Sequence, residues 1–183
     1  MAWTTPNTVA AGDALTASMY NTYVRDNLNA LGSAVFNVQS AAKTDTFTMA
    51  STTFADVTGL SVAITPSAAT SKVLVHVSMM MGAVSGVTNV FARLVRGATT
   101  IAVGDVAGSR IPITVFGAAS AANPMGGMVF LDSPGTTSAT TYKIQIRAQS
   151  ANSIFINKDN VDTDSSAGYR GISTITVIEV PVS

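Results

Sequence analysis

Apolar side chains recur at every second position in three separate stretches of this chain: Leu60, Val62, Ile64; Val73, Val75, Val77, Met79, Met81; and Tyr142, Ile144, Ile146, Ala148. A period of two puts successive side chains on opposite faces of an extended strand, so each run buries one face and wets the other. Thr141, Lys143, Gln145 and Arg147 form the wet face of the last run. Shorter runs at Phe54–Val57, Val90–Arg96, Thr99–Val103, Ile111–Phe116, Met128–Leu131, Ser153–Asn157 and Ile172–Val180, with a start near Phe47, are separated by turn signals such as Asp132-Ser-Pro-Gly135. About ten or eleven short strands in this arrangement predict an antiparallel β-sandwich or jelly roll.

Two of these strands are apolar on both faces. Ile172, Ile178 and Val180 stand opposite Ile175 and Val177, while Leu74 and Met80 stand opposite the valine face of Lys72–Met81. Such strands lie in a sheet covered on both sides or at a subunit contact, and a twofold or threefold contact is the simpler expectation for a small sandwich.

The front of the chain follows a different rule. Thr16 is a good N-cap, Leu15 and Tyr20 occupy the positions of a hydrophobic staple, and Gly32 supplies a stop, which predicts a helix over 16–31. Tyr20, Val24, Leu28 and Leu31 make one apolar stripe, extended by Val35. A helix this short is marginal alone and has little of its own chain to pack on, so it is expected to dock on another surface. The expected organisation is a short N-terminal α-helical anchor segment over 1–34, a linker or neck over 35–46, and an all-β body over 47–183.

Composition excludes several functions. Lys plus Arg equals Asp plus Glu at 10 each, leaving no basic surplus for phosphates, so nucleic acid is not an expected partner. Charged residues make up 11% of the chain, which provides little colloidal repulsion and suits a subunit of an assembly. The sequence contains no cysteine, hence no thiolate metal site or thiol nucleophile. No apolar run approaches the roughly 18 residues of a membrane span, and no secretory signal pattern opens the chain.

Chemistry is sparse. His76 is the sole histidine and Glu179 the sole glutamate; no nucleophile elbow or phosphate-binding glycine loop accompanies them. His76 reads as structural, and the aspartates, including Asp132, read as turn residues. The weak metal candidate is Asp159, Asp162 and Asp164, in a stretch whose oxygen ligands resemble an EF-hand loop in part but lack its closing glutamate. The expectation is a non-enzymatic protein with no cofactor.

Trp3, Pro6, Gly12-Asp13, Leu15-Thr16-Ala17, Asn21 and Val24-Arg-Asp-Asn-Leu-Asn-Ala-Leu31 together resemble the N-terminal segment of tailed-bacteriophage virion proteins, of tail-fibre and head-fibre type. Lys72–Val77, Phe130–Gly135, Tyr142–Arg147 and Ser173–Val180 make the β-body similar in pattern to the jelly-roll heads of trimeric phage fibres, whose outward apolar strands line the threefold axis. The resemblance implies a virion structural protein, made in the host cytoplasm and assembled onto the particle as a homotrimer. Trp3, Pro6, Leu15, Tyr20, Tyr23, Val24, Arg25, Leu28 and Leu31 would then anchor it to a capsid, portal or tail protein, or to sister helices. A module binding host surface glycan and a capsid decoration protein are the alternatives.

Overall fold

The computed structural model describes residues 4–5, 8, 12–28, 37–84, 89–118, 125–166 and 168–182. The chain divides into two compact units, Met1–Phe36 and Asn37–Ser183. The first contains a helix over residues 17–28 (α1). The second is all β, with β1 (Val38–Lys43), β2 (Phe47–Met49), β3 (Ala55–Ile64), β4 (Lys72–Ala83), β5 (Asn89–Arg96), β6 (Thr99–Ile101), β7 (Val115–Ala118), β8 (Met125–Asp132), β9 (Thr140–Ala148), β10 (Ile154–Ile156) and β11 (Ser173–Val180).

Among the described residues these strands pair antiparallel throughout, and they form two sheets. One places β1, β11, β4 and β8 side by side; the other places β3, β9, β5 and β7. Numbering only those eight strands in chain order, the sheets read 1-8-3-6 and 2-7-4-5, the order of a jelly roll, as the alternation predicts. The three short strands lengthen existing rows. β10 pairs with β4 beyond the end of β11, β2 pairs with β10, and β6 pairs with β5 beyond β7.

The core follows the period of two. Leu60, Val62, Ile64, Val73, Val75, Val77, Met79, Met81, Tyr142, Ile144, Ile146 and Ala148 are all buried, joined by Ile154, Ile156, Ile175 and Val177. Each large aliphatic side chain removed from water in this way stabilises the fold by about 1.5–3 kcal/mol before conformational entropy is counted.

Three segments differ from expectation. Within the 35–46 stretch expected to be a neck, Val38–Lys43 is strand β1, paired along its length with β11. β1 is an edge strand of sequence Val-Gln-Ser-Ala-Ala-Lys with only Ala41 and Lys43 turned inward, so it carries almost no hydrophobic alternation. The expected strands Phe54–Val57 and Leu60–Ile64 are not separate: from Ala55 on they are parts of β3, joined through a bulge between Asp56 and Ser61 at Gly59, whose φ is +88°, while Phe54 lies just before it. Within the expected strand Ile111–Phe116, pairing begins only at Val115, and it runs on to Ala118.

Asp132 does more than shape a turn. Its carboxylate, 6% exposed, accepts from Arg96 Nη1 at 2.9 and 2.8 Å and from the Tyr142 hydroxyl at 2.6 Å. Asp132 belongs to one sheet and its two donors to the other, so the cluster clamps the sandwich shut. Burial, followed by the hydrogen bond to Asp132, pushes the Tyr142 phenol well above its ordinary value.

Candidate functional site

α1 begins where the sequence places it. The Thr16 hydroxyl accepts from the Met19 amide at 3.2 Å, capping an α-turn over Ala17–Met19. The helix then widens into a π-helix over Tyr20–Arg25, closed by the Asp26 amide donating to the Asn21 carbonyl, before residues 26–28 resume the α form. Such π segments are rare, and they are frequent at functional sites.

The expected apolar stripe faces water along its described length. Leu15 is 67%, Tyr20 50%, Val24 38% and Leu28 60% exposed. Tyr23 is half-buried, and Arg25 forms an exposed ion pair with its neighbour Asp26 at 2.9 Å. Trp3, Pro6 and Leu31, also expected in the anchor, lie outside the described residues, as do Gly32 and Val35.

Sequence reasoning gave Asn27 no role, yet among the described residues of this unit it is the buried polar one, 3% exposed. Its Oδ1 accepts from the Thr4 amide at 2.8 Å, while its Nδ2 donates to the Thr4 carbonyl at 2.8 Å and to the Tyr23 carbonyl at 3.1 Å. The carboxamide thereby pairs with extended backbone as a neighbouring strand would, fastening the leader to the helix. The available signal was a poor helix former in the middle of an amphipathic stretch.

In the β-unit, the outward face of the β1-β11-β4-β8 sheet carries an apolar rung beside a mostly polar one. Register places Val38, Ile178, Leu74 and Leu131 on one rung, with Ser40, Thr176, His76 and Val129 on another. Val38 is 44%, Leu131 45% and Val129 65% exposed. His76 stands exposed between Thr176 and Val129.

Two polar nodes mark opposite ends of the sandwich. At the end where the body starts, Glu179 is 4% exposed; its carboxylate accepts from the Ser67 amide at 2.7 Å, the Ser67 hydroxyl at 2.5 Å and Asn37 Nδ2 at 3.1 Å. Burial works to raise the Glu179 pKa, but the hydrogen bonds, led by the Ser67 hydroxyl, outweigh it and lower it to about 2. At the other end, Asn157 is fully buried at φ +62°. Its Nδ2 donates to the Lys43 carbonyl at 2.7 Å and the Asp45 carbonyl at 3.1 Å, and its Oδ1 accepts from Ser173 Oγ at 2.6 Å.

Between Asn157 and Ser173 the chain leaves the sheet in a loop pinched by a bridge from Lys158 to Arg170. Asp159, Asp162, Thr163, Asp164, Ser165, Gly168, Tyr169 and Arg170 line an open cavity of about 340 Å³ here. The weak cation candidate does not assemble. Asp162 is held by Arg170 at 3.0 and 3.1 Å, with Lys158 at 3.8 Å, and Asp159 accepts from the Asp162 amide. The Arg170 guanidinium, first through its hydrogen bond, keeps the Asp162 carboxyl below its usual range. Among the described residues, no three His, Cys, Asp or Glu side chains gather as a cation would need.

No helix among the described residues is long and apolar enough to cross a membrane. In comparisons with known proteins, no family matches this chain and no curated protein is similar to it.

Proposed function

We propose that this chain is a structural protein of a tailed-phage virion, a homotrimeric surface fibre or spike subunit attached through its N-terminal unit to a capsid, portal or tail protein. The observation that carries this reading is the exposure of Leu15, Tyr20, Val24 and Leu28 on a capped helix. Water-facing apolar residues in a row mark a docking surface, and burying them on a partner offsets the instability of so short a helix. The apolar outer rung of Val38, Ile178, Leu74 and Leu131, with Val129 beside it, supplies the contact between copies.

The deciding experiment is assembly of particles carrying either the full chain or a chain lacking residues 1–31. The truncated protein should form a soluble oligomeric β-body that is missing from purified particles. Normal incorporation of the truncated protein would refute the anchor.

A second reading, a module that touches host surface glycan, is favoured by the polar cavity of the 158–170 loop, where Tyr169 is 40% exposed. Binding of the isolated body to a glycan array, lost in Tyr169→Ala, would establish it. Assembly and recognition are compatible, since they use different parts of the molecule.

A further inference from the structure

The outer face of the second sheet is chemically unlike that of the first. Register brings Arg147 opposite Phe91, and Arg93 opposite Gln145, which is itself opposite Asp56. The Arg93 guanidinium lies 4.1 Å from the centre of the Phe54 ring; that of Arg147 lies 5.9 Å from Phe54 and 5.6 Å from Phe91. Two like charges are therefore gathered around shared aromatic rings in a chain of zero net charge.

Neither cation is neutralised by a carboxylate among the described residues. Arg93 donates through Nε and Nη2, at 2.9 and 2.7 Å, to the uncharged Gln145 Oε1, and Arg147 donates through Nε to the Ala148 carbonyl at 3.2 Å. Asp56 is engaged by Lys143 at 2.8 Å and Gln145 at 2.6 Å. Among the described residues, the Nη1 and Nη2 groups of Arg147 and the Nη1 of Arg93 have no hydrogen-bond acceptor. The Phe54 ring and Gln145 hold the Arg93 guanidinium, and the Phe54 and Phe91 rings with the Ala148 carbonyl hold that of Arg147, which removes part of the entropy cost of using them.

We propose that this face binds the carboxylates of an acidic protein surface, with Arg93 and Arg147 as its anchors. Planar guanidinium forks match carboxylates in bidentate geometry, and Arg with aromatic residues is the composition of protein interfaces. A saccharide would stack on open aromatic rings, whereas the Phe54 ring is covered by arginine; a small ligand would need a concavity, whereas this is a sheet face.

The test uses the full chain at low salt, where exposed charge pairs are least screened, against immobilised poly-L-glutamate. Binding should weaken about tenfold or more in R93Q/R147Q, and stay within about twofold in the charge-matched K72Q/R110Q. Absence of binding, or equal loss in both double variants, overturns the proposal. So does tighter binding to polygalacturonate that is lost in R93Q/R147Q, because it would assign the face to an acidic polysaccharide. If R93Q/R147Q loses its circular-dichroism spectrum, Arg147→Lys decides. It keeps the charge but not the fork, so binding should weaken about threefold or more, and unchanged binding overturns the proposal.

Discussion

The backbone of Thr4 and the side chain of Asn27 hydrogen-bond each other in both directions, at 2.8 Å each way. Twenty-three positions apart in sequence, they make the leader and the helix one piece. Replacing Asn27 with Ala leaves the Thr4 amide and carbonyl to water and removes about 1–2 kcal/mol of local stability. Limited proteolysis should then cut the leader several-fold faster, while the melting temperature of the β-body stays unchanged. A fall in that temperature would mean that the two units do not behave independently.

If copies meet through the outer rungs of the first sheet, a charge there opposes assembly without harming the fold. Val129→Asp and Leu131→Asp change side chains that are 65% and 45% exposed, so each should leave the folded monomer within about 0.5 kcal/mol of wild type. Light scattering during gel filtration should report a shift from trimer to monomer. A trimer that persists in the double variant would place the contact elsewhere.

Glu179 gives the body an acid-sensitive latch. Its folded pKa, about 2, lies below the ordinary 4.5, so the carboxylate stabilises the native state above pH 4.5 and that contribution is lost as pH falls towards 2. Linkage sets its size at about 3 kcal/mol. Urea unfolding at a series of pH values should show a decline below pH 4.5 that is reduced in Glu179→Gln, whose stability near pH 7 is already lower. An equally steep acid decline in that variant would assign the loss to other carboxylates.

Asn157→Ala should be the most damaging of these changes to the β-body. It strands the carbonyls of Lys43 and Asp45 and the hydroxyl of Ser173, and it places alanine at a positive φ. The expected cost is about 3–5 kcal/mol, measurable by thermal unfolding. Asn157→Gly relieves only the backbone part and should recover about 1 kcal/mol.

Strands that bury a complete face announced themselves. β4 and β9 alternate because each packs against the opposite sheet, and their inward residues are readable one by one; β11 is apolar on both faces, so spacing alone does not say that Ser173, Ile175, Val177 and Glu179 turn inward. β1 was hidden because an edge strand meets the core at only one or two positions. β3 looked broken because Gly59 bulges it, and a bulge preserves a strand that a pattern search divides. At the N-terminus, Thr16 and the exposed stripe were legible from capping and spacing. The Asn27 clasp was not, since its partner is the backbone of Thr4, and backbone partners leave no trace in residue identity. Glu179 carried a signal that went unused: the only glutamate of the chain, placed inside an apolar strand, must be held by donors if it is buried.

The sandwich also has a built-in direction. Asn37 leads into β1 beside Glu179 near the close of β11, together with the 65–71 and 133–139 connections, whereas the 157–170 loop emerges where β1 ends and β11 begins. For anyone displaying a peptide on this scaffold, cargo joined after Val182 would be carried at the end of the sandwich where Asn37 enters β1. Cargo spliced between Asp159 and Asp164 would ride at the opposite end.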